Sequence, residues 1–557
     1  MDYPYLDTVI YNNFYEMLKG RYEDSGDRPA IRYFKGKEIV GITYREMTER
    51  IADVYSYLRE LGEKGLHIGI LSENRYEYII LYLAAVMHDV IVPLDKEMDP
   101  GMIAGCVDRF DIDVLFYTNK TKGKVEFPDS SCQLRNLDEV FGDICAGSQG
   151  DTQDFFRKVA DTDKDRFAVL ASTSGTDGEM KGVMLSQYNV ITNIRGTLEN
   201  NVLKNPTLAF LPMNHTYGFN PCILATLYNG TTVCLNLNMK HLMRDIKAFD
   251  PYFFGAVPMV IEGMYENIIR EVKRQNKEKN FKRMIRISQF FLRWRIDLRH
   301  LFFGKIINPN LRLVVNGGAP LNRDYVRKFG ELGITILNGY GLTECSPTIA
   351  VSRVGNNVSG SSGTIMKHID VKIAEDGEIL VKGPNVMLGY YKNEEATAAC
   401  MRDGYYATGD IGYTEGKVIC VTGRKKNLII LENGKNVPPE YLEDKLNGLP
   451  YVKESLIVPK RAGGRNRILL AKIVLVEDVT DDIKDERNQT EDEDTEQTGA
   501  QGQDKVFAQL EERLKQDIRE INESLPSYMR IEDYEIMREE FEKNSSKKIK
   551  RNLYMDP

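Results

Sequence analysis

Phe167-Ala168-Val169-Leu170-Ala171 runs directly into Ser172-Thr173-Ser174-Gly175-Thr176-Asp177-Gly178-Glu179-Met180-Lys181-Gly182, and the fold is read from these residues outward. The first five are apolar and read as a buried strand. The next eleven hold three glycines, four small hydroxylated residues and one lysine, the composition of a loop that wraps an anion. Glycine lets backbone N–H groups close in, hydroxyls donate, and lysine neutralises. The spacing is not that of the nucleotide-triphosphatase loop, which needs Gly-Lys-Ser/Thr after four intervening residues. Here Gly178 follows Gly175 by three, and Lys181 is followed by glycine. The stretch reads as a phosphate loop of another kind, or as a plain surface loop. Val183-Met184-Leu185-Ser186 then leads into a helical segment.

The flanking sequence repeats one pattern. Thr43–Leu58 has helical apolar spacing, Leu66–Leu71 reads as a strand, and Tyr76–His88 as a helix. Val90–Leu94 and Asp113–Tyr117 are further strands, as are Leu208–Leu211, Thr232–Leu237, Tyr252–Val257, Leu311–Val315 and Ile334–Leu337. Strands alternating with helices predict an α/β body of open, mostly parallel sheets flanked by helices.

The 557 residues exceed one core, so two to four domains are expected. Apolar and charged fractions of 42% and 28% are those of a globular enzyme. A net charge of −8 and a pI near 5.6 argue against a nucleic-acid binder. The eight cysteines form no Cys-x-x-Cys pair, so neither a zinc site nor a disulfide framework is read. With no leader pattern and no spanning apolar run, the expected location is the cytoplasm.

Two stretches stand out by composition. Residues 266–305 carry twelve lysines and arginines against four acids, interleaved with Phe281, Phe290, Phe291, Trp294, Phe302 and Phe303. That pattern fits an interfacial membrane helix, hence a peripheral protein at the inner membrane face, and equally a solvated helical hairpin. Residues 477–504 are acidic and nearly free of large apolar side chains, which predicts a disordered insertion. A strand at Ile468–Val476 precedes it and helical spacing at Phe507, Leu510, Leu514, Ile518 and Ile521 follows, so the chain ends in a small α+β domain.

Three more strand ends are rich in glycine or small polar residues: Leu211-Pro212-Met213-Asn214-His215-Thr216-Tyr217-Gly218, Asn316-Gly317-Gly318-Ala319-Pro320 and Asn338-Gly339-Tyr340-Gly341-Leu342-Thr343-Glu344. Ligands of open parallel sheets bind outside the carboxyl ends of strands, so four such ends suggest a shared cleft. Thr408-Gly409-Asp410 and Gly423-Arg424-Lys425-Lys426 follow. An aspartate can accept from both hydroxyls of a ribose diol, though a turn before a basic strand explains these residues as well.

Taken in this order, the motifs resemble the adenylate-forming superfamily of acyl- and aryl-CoA synthetases, adenylation domains and luciferases, from about Thr43 to Lys548. The opening loop resembles that family's Ser/Thr-Ser-Gly-Thr-Thr-Gly-x-Pro-Lys-Gly phosphate loop, with Asp177 and Met180 as departures. The resemblance implies ATP held by Thr173, Ser174, Gly175, Thr176, Gly178 and Lys181, with Gly317, Gly318 and Ala319 lining the adenine and acyl pocket. Tyr340 would sit against adenine, with Asn338, Gly339 and Gly341 also binding the nucleotide, and Asp410, helped by Arg424, would hold the ribose. Thr343 and Glu344 would serve the phosphates, and Glu344 and Thr173 the Mg²⁺. His215 would stand near the reacting carboxylate. Lys548 matches the catalytic lysine, with Lys547 replacing the usual preceding glycine. Lys426 falls at the hinge between a large domain, 1–424, and a small mobile one, 425–557, and Gly434 on the CoA tunnel.

The implied activity is ATP-dependent activation of a fatty acid through an acyl-adenylate, with release of pyrophosphate, then transfer to the thiol of CoA. A carboxylate attacking a phosphate brings anion to anion, so the residues needed are cations and N–H donors rather than a base. Gly-Arg-Lys-Lys-Asn-Leu-Ile-Ile-Leu-x-Asn-Gly-Lys-Asn-Val (423–437) is similar to long-chain fatty acyl-CoA synthetases. The alternatives are an adenylating ligase that loads an acyl carrier protein or takes a medium-chain or aryl acid, and a catalytically silent nucleotide-binding or membrane-surface protein.

Overall fold

The computed structural model describes residues 4–126, 131–147, 151–174, 180–304, 308–358, 360–432, 434–462, 466–476, 500–543 and 549–555. Gly175, Thr176, Asp177, Gly178, Lys547, Lys548 and the side chain of Ser174 lie outside the described residues.

Two large open sheets form the body. The first holds β1 (His67–Leu71), β2 (Val90–Leu94), β3 (Val114–Tyr117), β4 (Gln133–Asn136), β5 (Phe167–Ser174) and β6 (Met180–Ser186), with a two-residue edge at Gly389–Tyr390. β5-β2-β1-β3-β4 run parallel, while β6 turns back antiparallel on β5. The second has a parallel centre of β7 (Thr207–Ala209), β8 (Val233–Leu235), β9 (Phe253–Ala256), β10 (Leu313–Asn316) and β11 (Thr335–Gly341). An antiparallel section extends it, including β12 (Thr348–Val351), β13 (Tyr405–Glu415) and β14 (Val418–Arg424). The sequence reading did not register that section, whose strands are short or interrupted by register shifts and carry exposed charges.

Helices cover the sheets. α1 (Pro100–Arg109) starts at Asp99, whose side chain accepts from Met102 N, with Pro100 in the first turn where its missing N–H costs nothing. α2 (Gln187–Asn200) follows β6 and is closed by a capping box of Ser186 and Asn189. Its buried asparagines satisfy their amides on backbone carbonyls: Asn189 donates to Pro384 O at 2.7 Å and Asn193 to Thr348 O at 2.7 Å. Buried amides must be paired, so these bonds fix where the segment after β11 lies relative to β6.

α3 (Pro258–Arg274) and α4 (Glu278–Arg293) form the basic hairpin. Its aromatics divide. Phe281 and Phe303 are buried in the second core, while Phe290, Trp294 and Leu301 are 57%, 71% and 74% exposed. The body therefore buries one face along all of α3 and the first turns of α4, and leaves apolar side chains at the carboxyl end of α4 and just after it exposed.

The small domain has its own core of Leu442, Ile457, Ile473 and Leu514. It packs α5 (Pro439–Asn447) and α6 (Ala500–Glu523) on three strands, Val452–Ala462, Asn466–Leu475 and Asp533–Met537. One expectation is corrected here. The acidic insertion was read to Asp504, but α6 already begins at Ala500. Helix growth is cooperative, so a segment anchored by buried Leu510, Leu514 and Ile518 extends cheaply into polar sequence.

Candidate active site

A cleft of about 1200 Å³ opens at the carboxyl ends of β5, β9, β10 and β11. Thr173, Lys181, His215, Gly317, Gly318, Ala319, Gly339, Tyr340, Gly341, Thr343, Glu344, Arg424 and Lys426 all line it, so most of the expected site converges. The glycines are there for space. A Cβ on Gly341 would lie 1.9 Å from the Pro347 carbonyl oxygen, and Gly318 sits at φ +82°.

Asp410 stands behind the wall, 3% exposed, with both oxygens engaged. Tyr340 Oη donates to Oδ2 at 2.8 Å and Arg424 Nε pairs with Oδ1 at 2.7 Å. The register that sets Asp410 opposite Arg424 on β13 and β14 makes this pair. Burial and the Asp410 charge push the Tyr340 phenol well above its ordinary range, so it stays a donor. Asn338 also sits behind, accepting from Asn316 Nδ2 at 3.3 Å and donating to Ser361 O at 3.2 Å.

Across the cleft, Tyr390 donates to Glu344 Oε1 at 2.9 Å, and Lys181 Nζ lies 5.1 Å from the centre of the Tyr390 ring. One cation and one carboxylate thus meet over a tyrosine that no sequence signal had singled out. Among the described residues no cluster of three or more His, Cys, Asp or Glu could hold a metal. A Mg²⁺ carried by substrate phosphates needs only one or two protein carboxylates, and Glu344 fits that donor set. His215 faces the open cleft, yet the protein around it displaces solvent and holds its imidazole below the ordinary range, hence neutral.

From this polar end the cleft follows one face of the β9–β10 pair. Phe253, Gly255 and Val257 alternate on one strand, Leu313, Val315 and Gly317 on its neighbour, with Phe253 opposite Leu313 and Gly255 opposite Val315. The four steps from Phe253 to Val257 span about 13 Å of extended chain. Tyr217 lies across this arm, its hydroxyl donating to Val315 O at 2.8 Å and its ring filling the space that Gly317 leaves free. The one carboxyl on the arm, Glu262, is pushed up by burial and by Glu266, toward the neutral form.

The small domain closes the remaining side through Asn447, Glu454, Lys543 and Ile549. Lys543 pairs with Glu454 at 2.8 Å and bridges to Ile549, so the residues on either side of 544–548 stand at the cleft. At the connection, Lys425 is held by Asp376 at 2.6 Å and Glu378 at 2.7 Å in the body. Asn427 donates to Glu440 Oε1 at 2.5 Å in the small domain, leaving Lys426 between two anchors. Gly434, at φ +76°, is not brought to the cleft.

Comparison with known proteins identifies the family. Residues 19–391 match the model of the AMP-binding enzyme family. The chain is 28% identical over 457 residues to the long-chain-fatty-acid–CoA ligase FadD15 of Mycobacterium bovis, covering 75% of each. It is 28% identical to long-chain-fatty-acid–CoA ligase 6 of Rattus norvegicus, over 77% of this chain and 69% of that one. In fold it is similar to ATP-bound MatB from Rhodopseudomonas palustris, with a TM-score of 0.73 at 21% identity over 98% of both chains. With the family model covering residues 19–391, most of the chain, this protein belongs to the AMP-binding enzyme family.

Proposed function

We propose that this protein is an AMP-forming acyl-CoA synthetase acting on long-chain fatty acids. The observation that carries the reading is the single cleft in which Lys181, Glu344 and Arg424 adjoin an arm floored by Phe253, Gly255, Val257, Leu313 and Val315. An acid with an apolar tail needs both halves. The names of the curated relatives support the same substrate class.

In the first step a carboxylate oxygen bonds to the α-phosphorus of ATP and the bond to the bridging oxygen breaks, releasing pyrophosphate. Lys181 and Lys548 supply positive charge where negative charge gathers, and Asp410, Arg424 and Tyr340 seat the nucleoside. Neutral His215 adds no charge beside the carboxylate. Mg²⁺, when bound with ATP at Glu344 and Thr173, neutralises the phosphates. In the second step the thiol sulfur of CoA bonds to the acyl carbon and AMP leaves, after the small domain turns about Lys426 and brings Gly434 to the thiol path.

The test is pyrophosphate exchange across carboxylic acids of increasing chain length, repeated with CoA and with acyl carrier protein as acceptors and with Mg²⁺ chelated. Long-chain acids are expected to exchange fastest, CoA to be acylated, and chelation to stop exchange. A preference for short or aryl acids overturns the substrate assignment.

The carboxyl-terminal end of α4 and the residues after it support peripheral contact with anionic membranes. Phe290, Trp294 and Leu301 are exposed among exposed Arg283, Arg286, Arg293 and Arg295. Burying one such apolar side chain is worth about 1.5–3 kcal/mol, and each basic residue near an anionic surface adds about 1 kcal/mol. The protein is therefore expected to sediment with anionic vesicles at low salt, and Trp294→Ser with Leu301→Ser to weaken this by about a hundredfold or more. A protein that stays in the supernatant at every salt concentration sinks the idea.

A further inference from the structure

The chain departs from the family's phosphate loop at Met180, where the resembling sequences carry proline before the lysine. Proline fixes its own φ and so stiffens the chain that delivers that lysine. Met180 lacks the ring, and the structure shows what stands in its place. The end of α1 packs on β6 beside it. Arg109 Nη1 donates to the Met180 carbonyl oxygen at 2.6 Å, and Cys106 Sγ lies 3.3 Å from Met180 Sδ. Two residues on, a Cβ at Gly182 would meet the Phe110 ring at 2.8 Å and Leu170 Cδ1 at 2.8 Å, so β6 approaches α1 as closely as glycine allows. Met180 and Gly182 thus share the face toward α1. Lys181, between them, points the other way, over Tyr390 and into the cleft.

We propose that Arg109 is a positioning residue for Lys181. By holding the carbonyl immediately before it, the guanidinium supplies through a hydrogen bond the restraint that proline supplies through its ring. Arg109 itself is on the outer surface and does not line the cleft. The inference rests on the adenylating reading only for its kinetic consequence; the restraint on β6 stands without it.

The test uses Arg109→Gln in the full-length protein, with two readouts. Amide hydrogen exchange in peptides covering Met180–Gly182 is expected to quicken, and to return toward the parent rate when Met180→Pro is added. The KM for ATP in acid-dependent pyrophosphate exchange is expected to rise about tenfold, as for loss of one hydrogen bond from a charged donor. Met180→Pro restores this too. Thioester formation from supplied acyl-adenylate, which engages no β- or γ-phosphate, is expected to be unchanged. Unaltered amide exchange in Arg109→Gln overturns the proposal, as does a loss shared equally by both half-reactions or one that Met180→Pro does not repair. A parent protein that exchanges pyrophosphate with no acid, while Arg109→Gln still quickens amide exchange, overturns the adenylating reading and upholds the restraint.

Discussion

Lys548→Ala is expected to lower acid-dependent pyrophosphate exchange by at least about 10²–10³-fold, the scale set by removing one preorganised donor from a developing charge. Thioester formation from supplied acyl-adenylate should survive, because in the proposed mechanism the lysine serves the phosphoryl transfer and not the thiol attack. The neighbouring described lysine, Lys543, makes the control. It reaches the same cleft but is neutralised by Glu454 at 2.8 Å, so Lys543→Ala should cost far less. Equal losses in the two variants would remove Lys548 from its special place.

Glu344→Gln is the second large effect. Glutamine keeps the shape and still accepts the Tyr390 hydroxyl, now bonded to Glu344 Oε1 at 2.9 Å, so only the charge is removed. Exchange is expected to fall about a hundredfold, with the Mg²⁺ needed for half-maximal rate moved upward. The melting temperature should hardly change, since the hydrogen bond persists. A variant with parent-like Mg²⁺ dependence and rate would show that the phosphates are met elsewhere.

Much of the site could be read from residue order because its parts are local. A strand that ends in Gly317-Gly318-Ala319, or in Gly339-Tyr340-Gly341, announces both its geometry and the place of that end at the mouth of a cleft. Asp410 and Arg424 were legible for the same reason, fourteen residues apart on neighbouring strands. What escaped was contact across long separations. Tyr390 meets Glu344 over 46 residues and Tyr217 meets Val315 over 98, and no periodicity encodes such pairs. Lys425 looked like one more cation in a basic run; its clasp by Asp376 and Glu378 depends on how the antiparallel section folds back. The hairpin was ambiguous because composition averages over a segment, while burial of Phe281 and exposure of Trp294 are decided residue by residue.

Asp410 is fully partnered before any ligand arrives, with Tyr340 on one oxygen and Arg424 on the other. A sugar hydroxyl that reaches this carboxylate must take over a bond already made, so its arrival is an exchange with little net gain. With the ribose placed at Asp410 as proposed, the arrangement is poor at generating affinity and good at telling sugars apart. A ribonucleotide replaces what it displaces. A deoxynucleotide that opens the same contact gives nothing back, and a buried acceptor left short costs about 1–3 kcal/mol, or roughly ten- to a hundredfold in preference. On the proposed reading, selectivity for the ribose form of ATP is thus prepared by the two bonds that Tyr340 and Arg424 already make to Asp410.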